Sequence, residues 1–251
     1  DGIRVVVWWL EFRRVLFRSW NIMALPKLET AKYSVEIPST KETIEFRPFL
    51  VKEEKILIQA QESGDTNQIV KTIKDIIHVC TFEKVKPNDL TLFDLEYIFL
   101  QLRARSVGET VDFKIKCSEC DRQNIVTLDL TEVQIKWPEK APETKLKLSD
   151  TVGVILRPIR VKDMTKVENN ITESIIASIE AIFDEEDVYP TDEASKRELI
   201  AFVDSLSHSH LEAIQEYIEN QPKLEHVLKY NCTFCGHANE YVLSGLADFF
   251  I

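Results

Sequence analysis

The sequence predicts an α+β fold in which antiparallel strands carry a split four-cysteine site and several helices pack around them. Three observations predict it. Short runs with a two-residue apolar period recur along the chain, as in Lys32–Ile37, Thr43–Phe49 and Val111–Lys116. Between them lie stretches whose apolar residues return every three or four positions, the period of a helix with one buried face. Finally, four of the five cysteines stand in two Cys-x-x-Cys turns, Cys117-Ser118-Glu119-Cys120 and Cys232-Thr233-Phe234-Cys235.

That spacing lets two thiolates of one tight turn reach a single tetrahedral ion, and two such turns complete a four-sulfur shell. The flanks repeat as well. Val111–Lys116 and Ile125–Leu128 bracket the first turn, Val227–Tyr230 and Glu240–Leu243 the second, and Asn124 and Asn239 each follow the second cysteine by four residues. The two hairpins can therefore be laid over one another as zinc knuckles of one ribbon-like site, with Cys117, Cys120, Cys232 and Cys235 as ligands of a structural Zn2+. A closed thiolate shell has no open position for water or substrate, so such a site holds a fold and does no chemistry. Three alternatives stay open: two independent redox or disulfide pairs, no metal at all, and His237 in place of one sulfur. More than a hundred residues separate the pairs, beyond the usual ribbon spacing, so the ion would clasp distant parts of the chain.

Taken in order, residues 1–22 stand apart. They hold three of the four tryptophans, and the apolar run Val5–Leu10 is too short to span a bilayer. Glu11–Ser19 reads as a translated sequencing-adaptor artefact, which puts the natural start at Met23 and the leader outside the fold; the competing reading is an amphipathic anchor. From Met23 a single α+β domain is expected over 23–251. Its first part, 23–110, opens with a hairpin (Lys32–Ile37 and Thr43–Phe49, turning at Pro38–Glu42), followed by a helix over Leu50–Gln61 that breaks at Ser63-Gly64-Asp65. Asp65 with Gln68 has the capping-box spacing, and Ile69, Ile73, Ile76 and Cys80 line one face of the next helix. Cys80 within that stripe is a small core residue.

Leu90–Gly108 is the densest apolar stretch. Thr91 can cap it, Leu92, Leu95, Phe99 and Leu102 form one face, Phe93, Tyr97 and Leu100 widen it, and Gly108 closes it. A stripe that wide calls for burial on more than one side, as the core helix of the domain or, alternatively, as a surface that meets a partner. The first knuckle and a sheet occupy 111–160, with further strands at Val133–Lys136, Lys145–Leu148 and Val152–Leu156 joining the knuckle arms in one mostly antiparallel sheet. A helical half follows over 161–222, interrupted by Asp184–Asp187, a solvated turn without the ligand series of a calcium loop. Within it Thr191 caps a helix carrying Leu199, Val203 and Leu206, and Ser209 with Glu212 opens another carrying Leu211, Ile214 and Ile218. The second knuckle fills 223–251. The aromatic tail Phe249-Phe250 either docks into the core or inserts into a neighbour.

Charge and composition narrow the function. With 31 basic and 42 acidic residues the net charge is −11, which argues against nucleic acid as the main partner, since phosphate binding needs a basic footprint. Lys114, Lys116 and Arg122 gather at the first knuckle, but Asp112, Glu119 and Asp121 interleave with them. Six scattered glycines cannot build a phosphate-cradling loop. Paired thiols without a secretion signal fit a reducing cytoplasm. Ser207-His208-Ser209-His210 sets hydroxyls beside imidazoles, yet neighbours on a helix point different ways and there is no nucleophile elbow. No enzyme, small-molecule substrate or membrane partner is expected.

The block Leu90–Glu109, with Phe-Asp-Leu-Glu-Tyr at 93–97 and Leu-Arg-Ala-Arg-Ser-Val-Gly-Glu at 102–109, resembles the baseplate hub protein family of T-even-type contractile-tailed bacteriophages. The order of parts is similar too, from Leu25-Pro26 through the helix block and first cysteine turn to a second turn near the end, over about 25–250. The resemblance implies a non-enzymatic component or assembly factor of the tail baseplate hub, working in the host cytoplasm or carried in the virion, with other hub and tail proteins as partners. A function of a different class is a zinc-ribbon nucleic-acid or transcription adaptor of viral origin.

Overall fold

In the computed structural model, which describes residues 29–167 and 170–249, the first described elements are a hairpin, β1 (Tyr33–Glu36) and β2 (Thr43–Phe46), paired antiparallel from Tyr33↔Phe46 to Glu36↔Thr43. The leader predicted over 1–22 lies outside the described residues. Helix α1 (Val51–Ser63) follows and stops at Gly64, whose φ of 67° bends the chain away. Helix α2 (Thr66–Cys80) begins at Asp65, but its carboxylate accepts from the Asn67 N–H at 2.9 Å and Gln68 plays no part, so the capping box expected there is a simple cap. Ile73, Ile76, Ile77 and Cys80 are its buried face.

Helix α3 (Leu92–Ser106) is capped by Thr91, whose hydroxyl accepts from the Asp94 N–H. The buried Asp94 carboxylate in turn accepts from the N–H and hydroxyl of Ser39, at 2.9 and 2.6 Å, and so ties the β1–β2 turn to the start of the helix. The wide stripe is buried on two sides. Leu95, Ile98, Phe99 and Leu102 pack with the hairpin, α1 and α2 in one core; Phe93, Leu100 and Ala104 belong to a second, and Tyr97 touches both. Leu92, predicted to face inward, is 38% exposed because it sits in the first turn, beyond the cores.

Strands β3 (Thr110–Lys116) and β4 (Gln123–Asp129) form the first knuckle hairpin, β10 (Lys223–Asn231) and β11 (Ala238–Ser244) the second. Their inner residues, with Leu130, Val133 and Ile135, make the second core. Between the hairpins come β5 (Ile135–Lys136), β6 (Lys145–Lys147), β7 (Gly153–Leu156), α4 (Met164–Val167), α5 (Ile171–Ser178), β8 (Ile179–Phe183), β9 (Val188–Pro190), α6 (Lys196–Asp204) and α7 (His208–Glu219). A third core joins β7, α5, β8 and α7 through Val154, Leu156, Ile175, Ile179, Ile214 and Tyr217. The last described element, α8 (Gly245–Phe249), buries Phe249 completely in the second core, so at that residue the tail docks. From Lys32 on, the described chain forms one compact unit.

The fold is thus mixed α and β with antiparallel sheets and several helices, but the single sheet expected around the knuckles is divided among three, β3-β4, β11-β10-β5 and β6-β7-β8-β9, while β1-β2 forms its own two-stranded sheet as the separate hairpin expected there. Proline explains one break: β5 pairs only through Ile135 and Lys136 before Pro138 and Pro142, which have no N–H to extend a ladder. The stretch read as helical from Lys162 also contains β8 and β9. Asp184–Asp187 is the turn between them, closed by Asp184 accepting from the N–H groups of Glu186 and Asp187 at 2.9 and 2.8 Å.

Two helix starts shift as well. Thr191 is buried and donates its hydroxyl to the carbonyls of Ile179 and Glu180, both at 3.0 Å; the cap of α6 is Ser195, in a capping box with Glu198. For α7 the cap is Ser207 rather than Ser209, with His210 in the third helical position.

Candidate metal centre

Each Cys-x-x-Cys turn is built the same way from local bonds. In the first, the Cys117 N–H donates to the Arg122 carbonyl and the Asp121 N–H to the Cys117 carbonyl, both at 3.0 Å; in the second, Cys232 donates to His237 at 2.8 Å and Gly236 to Cys232 at 2.9 Å. The residue after the second cysteine is left-handed in both, Asp121 with φ 60° and Gly236 with φ 73°. Asp and Gly are among the residues that tolerate this region, which lets the chain double back and bring both sulfurs to one side of the turn.

The two turns then face each other. The Sγ atoms of Cys117, Cys120, Cys232 and Cys235 all lie within 4.8 Å of one another, with Cys117 to Cys235 at 3.7 Å and Cys120 to Cys232 at 3.6 Å. These are not disulfides, in which sulfurs stand about 2.0 Å apart. A metal with bonds to sulfur of ~2.3 Å and tetrahedral angles requires sulfurs ~3.8 Å apart, close to these two separations. Cys117 and Cys232 are buried, Cys120 is half-buried and Cys235 is exposed. His237 is not among the clustered ligand atoms; its carbonyl is occupied in closing the turn.

Charge in this cluster is unevenly shared. The N–H of Cys120 holds Cys117 below the usual thiol range, against an opposing effect of burial and with help from the Glu119 N–H and the Asn239 amide. Burial alone would raise Cys232, but the N–H groups of Cys235 and Phe234, the Asn124 amide and the Cys120 thiol outweigh it and bring Cys232 down to about 6. At Cys235 the His237 N–H lowers the value, yet burial and the three neighbouring sulfurs push it up to about 12. The first thiolates formed therefore disfavour loss of the proton from Cys235 beside them. A divalent cation with a preference for soft sulfur ligands is the chemical species that would neutralise their charge.

The repeat read from Asn124 and Asn239 has a feature that sequence reasoning missed: the amides cross over. Asn124, on the first hairpin, accepts from the N–H and hydroxyl of Thr233 at 2.9 and 3.0 Å and donates to the Cys232 sulfur at 3.5 Å. Asn239, on the second, accepts from the N–H and hydroxyl of Ser118 at 3.0 and 2.9 Å and donates to the Cys117 sulfur at 3.5 Å. The missed signal was a hydroxyl residue directly after the first cysteine of each turn. Two further contacts join the hairpins: the Arg122 guanidinium lies 5.0 Å from the Phe234 ring centre, and the Tyr230 hydroxyl donates to the Lys116 carbonyl at 3.1 Å.

Other sequence candidates stay local. Ser207 and His210 cap α7, with His210 Nδ1 accepting from the Ser207 N–H; Ser207 is exposed and His210 half-buried. Cys80 is fully buried, far from the usual profile of a reactive thiol, and burial pushes it up to about 11. Neither Cys-x-x-Cys turn opens a helix, as a thiol redox pair would be expected to do. No described helix is long and apolar enough to cross a membrane.

Comparison with known proteins places this architecture. The model of the family described as "T4 bacteriophage base plate protein" matches residues 30–251. The Baseplate hub assembly protein gp26 of Enterobacteria phage T4 is 28% identical over 221 residues, an alignment that covers 87% of this chain and 98% of that protein. No solved structure matches.

Proposed function

The chain belongs to the T4 bacteriophage base plate protein family, and from that premise we propose that it is a component or assembly factor of the tail baseplate hub, held in shape by one structural zinc. It acts through contacts with other hub and tail proteins in the host cytoplasm during assembly, or as part of the finished tail, and carries out no reaction of its own. The observation that supports the hub role is the alignment with a baseplate hub assembly protein along nearly all of that protein's length. The net charge of −11 supports protein rather than nucleic acid as the main partner.

Cys117, Cys120, Cys232 and Cys235 would hold the zinc. The two sulfur edges at 3.6 and 3.7 Å and the all-thiol donor set support that reading. Bound there, the ion supplies charge neutralisation and a cross-link and no catalysis. The chain's own contribution is to aim backbone and amide N–H groups at the sulfurs and to fix both turns on paired strands. Copurification of the tagged chain with coexpressed hub and tail proteins tests the role: a stable complex is expected, and a chain that elutes alone in the presence of every hub and tail protein would overturn it. Metal analysis should return about one zinc per chain; none would remove the clasp.

A further inference from the structure

We propose that Asn124 and Asn239 are reciprocal positioning residues of the four-sulfur centre: each leaves its own hairpin to latch the opposite cysteine turn and to hold that turn's first sulfur ready for the metal. The inference rests on the zinc reading above and adds residues to it.

Both side chains are buried, at 3% and 7% exposure, where an amide must place all its hydrogen bonds or cost stability. Their orientation is fixed by chemistry. The side facing the other turn's N–H and hydroxyl has to be the carbonyl oxygen, because an N–H can only donate, which leaves the amide nitrogen toward the sulfur. That nitrogen has a second acceptor within its own turn, the Arg122 carbonyl at 3.0 Å for Asn124 and the His237 carbonyl at 2.9 Å for Asn239.

Each asparagine therefore joins three groups: the carbonyl that closes its own turn, the backbone of the facing turn and a sulfur of that turn. Cys117 and Cys232, which receive these amides, are the two buried sulfurs and the first of each pair. The arrangement is two-fold by residue type, with Cys117 matching Cys232, Ser118 matching Thr233 and Asn124 matching Asn239. Neither turn can move away from the other without breaking bonds at both. Amide N–H groups directed at a thiolate stabilise its charge, and fixing the turns before the ion arrives reduces what must be ordered on binding.

The test uses the full chain with Asn124→Asp, Asn239→Asp and the double variant. Aspartate is nearly the same size and keeps the oxygen that accepts from Thr233 or Ser118, but it has no N–H for the sulfur and sets a carboxylate beside it. Each single variant should bind zinc roughly 10- to 100-fold more weakly in competition with a chelator. In the cobalt-substituted protein the sulfur-to-metal charge-transfer band should move to longer wavelength, because a sulfur stripped of its N–H donor gives up electrons more easily. A residue that only supports the fold would lower the melting temperature without moving that band. Wild-type affinity and an unmoved band in the folded variants would overturn the latch and leave the zinc reading standing. A wild-type chain that takes up neither zinc nor cobalt would bring down both.

Discussion

Removing one sulfur should show how much of this fold the clasp holds. Cys117 and Cys235 are 118 positions apart and Cys120 and Cys232 112 apart, so an ion held by all four sulfurs would close a loop of that size around α4 to α7 and the small sheets between. Treated as a cross-link on the unfolded chain, a loop of that length is worth about 5 kcal/mol of closure entropy at 25 °C. For a chain of this size one kcal/mol moves the melting point by roughly 2–4 °C, so Cys232→Ser should lower it by about 10–20 °C. The bonds of Asn124 with the Thr233 N–H, of Asn239 with Ser118 and Cys117, and of Tyr230 with Lys116 do not involve the substituted sulfur, which makes these upper values. The assay is thermal unfolding of wild type and variant, each with and without a strong chelator. Chelated wild type should melt close to the variant, and the chelator should leave the variant unmoved. If the chelator lowered both proteins equally, or if Cys232→Ser melted with metal-loaded wild type, the clasp would not be what joins the hairpins.

The remaining predictions concern packing and titration. Phe249→Ala empties a fully buried ring site in the second core and should cost about 3–5 kcal/mol in urea unfolding; a loss under 1 kcal/mol would mean that α8 does not dock there. Gly153→Ala would set a Cβ 2.2 Å from the Phe183 ring and 2.7 Å from the Leu146 carbonyl oxygen, and because that oxygen is backbone the sheet itself must shift. The variant should lose at least ~2 kcal/mol, recovered in part when Phe183→Leu is added, and an unchanged stability would contradict the β7–β8 register. Cys80 is held protonated by burial, with its value raised from 9.0 to about 11. Because the unfolded thiol loses its proton first, that preference is intact below pH about 9 and is lost as pH rises through about 11, to a total of about 2–3 kcal/mol. Cys80→Ala should flatten the alkaline limb of the stability curve, and an equal slope in both proteins would contradict the burial of that thiol.

How far the chain could be read in advance depended on where its information is local. The Cys-x-x-Cys turns, the β1–β2 hairpin and α3 were legible because spacing and period act over a few residues, and the breadth of the α3 stripe announced the two cores it serves. Thr191 was misread for the opposite reason: threonine before two acids is a fair local cap, but its hydroxyl is taken by β8 carbonyls that only the folded chain brings near. Ile179–Phe183 was missed because Ile179 and Ile182 also fit a helical period, and pairing with β7 decides the matter. At the knuckles the two asparagines were visible as a repeat. That each serves the other's turn was not, since no sequence pattern states which of two similar hairpins a side chain will cross to.

Helix α3 carries a consequence for how the chain comes apart. Phe99 and Leu102 are gripped by the hairpin and α2, Leu100 and Ala104 by the knuckle strands, all on one rod of four turns. Neither half can roll or slide on it without dislodging the other's contacts. Loosening at the N-terminal end should therefore register at the cysteine turns in the same event, as a single cooperative step in hydrogen exchange.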